Sequence, residues 1–180
     1  MSRKLSLAEA GTIIETALAK AADMGLKPLT VAVLDDGGHM KALARQDGSS
    51  TLRPQMAEGK AKGAISLGMG SRAIFKRAQE QAFFIQAVNG LAGGSLVPVP
   101  GGVLIRAKAD GGDGEIVGAV GITGDTSDND EACAIAGIEA AGFAADPGCA
   151  GQANTPQRQA ATGCSGSSAT RKRLSSAPAT

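Results

Sequence analysis

Apolar residues at Ala10, Ile13, Ile14, Ala17, Leu18, Ala21 and Met24 recur at steps of three and four, which places them along one face of a helix. Ser6 and Glu9 stand at capping-box spacing just before that run, and Gly25 and Pro28 follow it. The pattern predicts a helix from about Leu7 to Met24 with one side against a sheet. Leu29 to Leu34 is rich in β-branched residues and runs into Asp35-Asp36-Gly37-Gly38, which predicts a strand entering a tight turn. His39 to Gln46 then returns as the second strand of a hairpin. Strict alternation there would put His39, Lys41, Leu43 and Arg45 on one face and Met40, Ala42 and Ala44 on the other, facing inward.

Thr51 to Gly70 reads as a helix in which Gly59 and Gly63, four apart, make a smooth stripe for close approach. Ser71 can cap a shorter helix over Arg72 to Gln79. Apolar Phe83, Phe84, Ile85 and Val88 follow, and Gly90 to Gly102 connects to the next strand. Val103 to Ala107 and Glu115 to Ile122 are apolar runs flanking the turn Asp110 to Gly114, so they predict a second antiparallel pair. Thr123-Gly124-Asp125 leads into a helix starting near Asp128 or Asn129, with Asp128 and Glu131 at capping-box spacing. Beyond Asp146-Pro147-Gly148 the chain turns to Ala, Gly, Ser, Thr, Gln and Pro. One domain over 1–146 and a disordered low-complexity tail over 147–180 are expected, because the tail has too little apolar surface to offset its ordering entropy.

Composition sharpens this in two ways. The 180 residues are 43% hydrophobic but only 2% aromatic, so the interior has to be built finely from Ala, Val, Ile and Leu. A net charge of +1 gives no field to gather nucleic acid or an anionic membrane surface, and no segment has the length of a membrane span or a secretion signal. A soluble cytoplasmic protein is expected. Cys133, Cys149 and Cys164 lack metal or redox spacing, and Cys133 falls in an Ala-rich helix where it serves as a small buried apolar residue.

Candidate chemistry gathers at two places. Gly118, Gly121 and Gly124 lead to a helix start whose free N–H groups suit a carboxylate or phosphate, which makes Gly121, Thr123 and Gly124 candidate binding residues. Against this, the spacing is not a dinucleotide fingerprint, Asp125, Asp128 and Asp130 oppose an anion, and tight packing explains the glycines equally. The second place is the hairpin. His39 is the sole histidine and hence the best protein ligand for a metal such as haem iron, with Met40, Met56 and Met69 as weaker ones; it is equally an exposed turn residue. Lys60 and Arg53 can meet a propionate or a small acid's carboxylate or can be solvated helix charges, and Arg45 can act likewise or form a surface salt bridge with Asp47. One histidine allows no histidine relay, and neither a nucleophile elbow nor a phosphate loop is present. The carboxylates between 113 and 131 are accounted for by turns and capping.

The stretch GGVLI, a short turn, then EIVGAVGITGDTSDNDEACAIAGIEA resembles the C-terminal signature of the HbpS/GlcG family, haem-binding-protein-like domains that also form the C-terminal part of PduO proteins. VAVLDDGGHMKALARQDGS followed by KAKGAISLG is similar to the family's hairpin, with its Arg-x-Asp-Gly motif, and its next helix. The resemblance spans roughly Leu5 to Asp146. It implies an α/β fold of the α+β type: a profilin-like three-layer α/β/α sandwich with a mainly antiparallel five-stranded sheet, whose fifth strand, beyond the four read above, is then expected in Phe83 to Val99. It further implies a binder of haem or a related tetrapyrrole, assembled as a homo-oligomer, tetramer or octamer; family members share no single iron-ligation scheme, so His39, Arg45 and Lys60 stay candidate contacts read from the residues. Two alternatives stay open: an accessory enzyme for a small hydroxy acid or aldehyde, and an oligomeric scaffold without ligand.

Overall fold

A computed structural model describes residues 3–109 and 114–148. The turn residues 110–113 and the expected tail from 149 onward lie outside the described residues. The elements run α1 Leu7–Asp23, β1 Thr30–Asp35, β2 Met40–Arg45, α2 Arg53–Leu67, α3 Ser71–Glu80, α4 Ala82–Leu91, β3 Gly102–Arg106, β4 Ile116–Thr123, α5 Ser127–Ala140 and β5 Ala144–Asp146. The five strands form one sheet in the order β2-β1-β4-β3-β5, every neighbouring pair antiparallel. This is the α+β sandwich expected.

The layers follow from the alternation of side chains across the strands. Val31, Val33, Val103, Ile105, Val120 and Ile122 point to one face, where they meet the buried stripe of α1 (Ala10, Ile13, Ile14, Ala17, Ala21) and Cys133, Ala134 and Ile138 of α5. Leu34, Leu104 and Ala119 point to the other, beneath Ala61 and Ala64 of α2. β4 lies at the centre, covered on both sides, which is why its sequence is a continuous apolar run. The Ser6–Glu9 capping box starts α1 as its spacing predicts.

Several expectations are corrected. The fifth strand is not in Phe83 to Val99, where α4 forms; it is the three-residue β5, pinned to β3 by Arg106 Nε donating to Asp146 Oδ2 at 2.8 Å. Three residues are too few for a readable alternation. The cap of α5 is Thr126, whose hydroxyl accepts from the Asn129 amide, and Asp128 and Glu131 are spent elsewhere. Of the two helical glycines, only Gly59 makes a close approach: an added Cβ would lie 2.7 Å from Ser95 O, whereas at Gly63 the nearest atoms are at an ordinary 3.7 Å.

A register shift between Val33 and Leu34 changes the hairpin faces. Ala42 stands opposite Val33 but Met40 opposite Leu34, so one extra residue, Lys41, is absorbed in β2. Directly paired residues share a face, so Met40 sits on the α2 side with Leu43, not with Ala42 and Ala44.

Candidate functional site

The strand-to-helix junction is a buried charge cluster. Ala57, Ala61 and Ala64 turn the small face of α2 to the sheet, and Lys60 shares that face, which is why its ammonium is carried inward. Its Nζ donates to Ile122 O at 2.8 Å and to Asp130 Oδ2 at 2.9 Å, and both side chains are 2% exposed. The other oxygen of Asp130 accepts from the Asp125 amide at 3.1 Å, closing the loop before α5. From α3, Arg72 Nε reaches both oxygens of Glu131 at 2.8 and 3.0 Å, and its Nη2 pairs with Asp128. Arg53, at the start of α2, donates to Thr123 Oγ1 at 2.7 Å. Burial pushes Lys60 below the ordinary lysine range and Asp130 and Glu131 above the carboxylate range, while the opposite charge across each pair holds the shift back.

Little room is left there for a ligand. A Cβ at Gly121 would sit 1.9 Å from Ala57 O, and one at Gly124 would sit 2.4 Å from Pro28 O, so both glycines mark backbone packed on backbone. Thr123 is buried with its hydroxyl engaged by Arg53. Lys60 is not a solvated helix charge, and Asp130 and Glu131 are not merely capping groups. Among the described residues no buried side-chain nitrogen or oxygen lacks a hydrogen-bond partner. Sequence reasoning named Arg53 beside Lys60 as a candidate carboxylate contact but passed over Arg72, Asp130 and Glu131 as site residues; the readable signal was Lys60 at helical spacing from Ala57, Ala61 and Ala64.

The hairpin is the opposite kind of surface. Asp35 Oδ1 accepts from the amides of Gly37 and His39, both at 3.0 Å, which shapes the turn and presents His39 outward with its side chain 82% exposed. The imidazole lies over Gly37, where a Cβ would be 2.8 Å from Nδ1. Nδ1 is 3.5 Å from Asp35 Oδ1, within ion-pair reach though long for a hydrogen bond. Beside it Met40 and Leu43 are exposed on the α2 side of β2, because α2 packs chiefly on β4, β1 and β3 and barely reaches this edge strand.

Arg45 is exposed at the far end of β2, roughly 20 Å of strand from His39. It pairs with Thr30, which pairs in turn with Thr123, so Arg45 belongs to the same cross-strand row as the junction but at its solvent end. An open cleft of about 540 Å³, lined by Arg45 and Asp47 together with Ala21, Ala22, Leu26, Pro28 and Gln46, lies beside it. The structure therefore brings Lys60, Gly121, Thr123 and Gly124 together and sets His39 and Arg45 apart from them and from each other. Among the described residues no three His, Cys, Asp or Glu side chains converge as a metal site, and no helix is long and apolar enough to cross a membrane.

The fold is shared with solved proteins. The chain is similar to the PduOC domain solved as a haem complex (20% identity, TM-score 0.68, covering 78% of this chain and 97% of that one). It is similar to protein ORFY of Klebsiella pneumoniae (20%, TM-score 0.67, 79% and 94%). HbpS matches at 27% identity with a TM-score of 0.62 over 77% of this chain and 91% of that one. No curated protein matches the chain by sequence. The model of the family described as haem degrading protein HbpS-like matches residues 5–139, three-quarters of the sequence, and the chain belongs to that family.

Proposed function

We propose that this protein binds haem on the open side of its β1–β2 hairpin, where His39 would hold the iron. The observation that supports this most is the setting of the sole imidazole. It is held clear of the fold by the Asp35 turn, with Nδ1 3.5 Å from Asp35 Oδ1 and Nε2 left as the coordinating atom. Met40 and Leu43 would provide an apolar ledge against the porphyrin, and Lys41, whose charge helps keep Asp35 ionised, would provide a cation for a propionate. Arg45 is too far along the strand to serve the same haem. The junction residues Lys60, Gly121, Thr123 and Gly124 hold the sheet and helices that carry the hairpin. Bound haem would supply an iron centre for ligand or electron exchange; His39 would hold the iron, and Met40, Leu43 and Lys41 would orient the group.

A small hydroxy acid at the Arg45 cleft is the competing reading. Asp47 and the carbonyl end of α1 line that cleft and oppose an anion, so the hairpin is the better supported site.

Titration of untagged protein with ferric hemin tests this. A shifted Soret band with low-spin histidine character is expected, lost on His39→Ala and retained on Arg45→Ala. Because the chain holds one histidine, an unchanged spectrum for His39→Ala would overturn the assignment.

A further inference from the structure

We propose that the end of the sheet remote from the hairpin turn binds a small dicarboxylate between Arg45 and Arg53, on its α2 side. The site does not depend on the haem reading, because His39 lies at the other end of β2. Val31 points to α1, so its neighbour Thr30 points to α2. Residues paired across strands share a face, and Arg45, Thr30 and Thr123 therefore form one row on that side. The chain leaves β2 at Arg45, turns through 46–52 and comes back over the row as the start of α2. Two contacts fix this return: the Ser49 and Thr30 hydroxyls lie 2.9 Å apart, and Arg53 Nη1 donates to Thr123 Oγ1 at 2.7 Å. Strands about 4.8 Å apart put Arg45 and Thr123 roughly 10 Å from each other, with the hydroxyl pair between them.

Unused donors mark this row as a binding surface. Arg3, Arg72 and Arg106 each hold a carboxylate, whereas among the described residues no carboxylate pairs with Arg45 or Arg53. Arg53 spends one N–H on Thr123 and leaves the rest of its fork open. The Thr30–Ser49 pair uses one of its two hydroxyl protons, and nothing among the described residues accepts the other, although both side chains are buried. Arg45, Ser50 and Thr51 are exposed and Arg53 is half-buried, so a solute has access.

Two guanidinium forks on either side of a spare hydroxyl donor suit an anion charged at both ends, each carboxylate taken by one fork. A single-centre ion would have to draw both cations together over the hydroxyls. Asp130, whose charge is felt by Arg53, is already matched by Lys60. Asp47 pairs with neither arginine; like Arg45 it borders the cleft on the α1 side of the strand end, where an anion is opposed.

Succinate titration at fixed ionic strength, followed by calorimetry and amide NMR, tests this. Saturable shifts at Ser49 to Arg53 are expected, with acetate and inorganic phosphate weaker by about tenfold or more. Arg45→Gln and Arg53→Gln are each expected to weaken succinate about tenfold, the loss of a charge-assisted pair. Lys62→Gln, which breaks only the exposed pair with Glu58, leaves it unchanged. Far-UV circular dichroism and hemin binding of both arginine variants should match wild type, which separates loss of this site from loss of the fold or of the haem site. Absence of saturable shifts, or succinate affinity unaltered by either arginine substitution, overturns the proposal. Acetate or phosphate binding as tightly as succinate overturns the ligand class.

Discussion

The ammonium of Lys60 on α2 and the carboxylate of Asp130 on α5 meet 2.9 Å apart beside Ile122 O, near the end of β4. Among the described residues each is the other's only counter-charge within ion-pair distance, and each also bonds backbone, Lys60 to Ile122 O and Asp130 to the Asp125 amide. Removing one partner strands a buried charge, which typically costs about 3–5 kcal/mol. Lys60→Met and Asp130→Leu are each expected to lose stability on that scale in urea unfolding, and the double variant to lose less than the sum of the two. Additive losses would show that the pair is not coupled.

The α2–β4 contact is set by Gly121. Alanine there drives a methyl against Ala57 O, backbone that cannot rotate away, so α2 has to lift. Overpacking of this kind costs roughly 1–3 kcal/mol. Gly121→Ala should fall at or above the top of that span by denaturant melts, while Gly63→Ala, in ordinary contact, should stay near wild type.

The hairpin should respond to acid. The amide of His39, helped by that of Gly37 and opposed by desolvation, holds the Asp35 carboxyl below its ordinary 3.8. A depressed carboxyl contributes stability that is present above 3.8 and lost as pH falls through the lower folded value. The Gly37 and His39 amide resonances should therefore keep their bonded shifts down to that range and move below it. Asp35→Asn should flatten the profile and weaken hemin binding at neutral pH.

Burial, with the charge of Asp130 adding, pushes the Cys133 thiol up to about 11. At neutral pH it carries almost no thiolate. In the Cys149→Ser, Cys164→Ser variant a disulfide reagent should label Cys133 only after unfolding; labelling of the folded protein would place the thiol at the surface.

Elements with a repeating pattern were legible in the sequence. The stripe of α1, the run of β4 and the two hairpins follow from period and turn chemistry, and the family motif over Leu5 to Asp146 supplied the sheet. What was hidden has no local period: β5 is three residues long, and the bulge at Lys41 that turns Met40 to the α2 side leaves no mark in the alternation. The charge cluster was hidden for another reason. Lys60, Asp130, Arg72 and Glu131 find one another across 59–70 residues of chain, and spacing along a helix reports only neighbours three or four positions away.

The strand order also dictates when the protein can mature during synthesis. β1 has β4 as its inner neighbour, Thr30 against Thr123, so the opening hairpin leaves the ribosome with one flank waiting for a partner some ninety residues downstream. Until that segment emerges, α1 has half a floor and the nascent hairpin an unpaired flank on each side, a window in which chaperones would find their client.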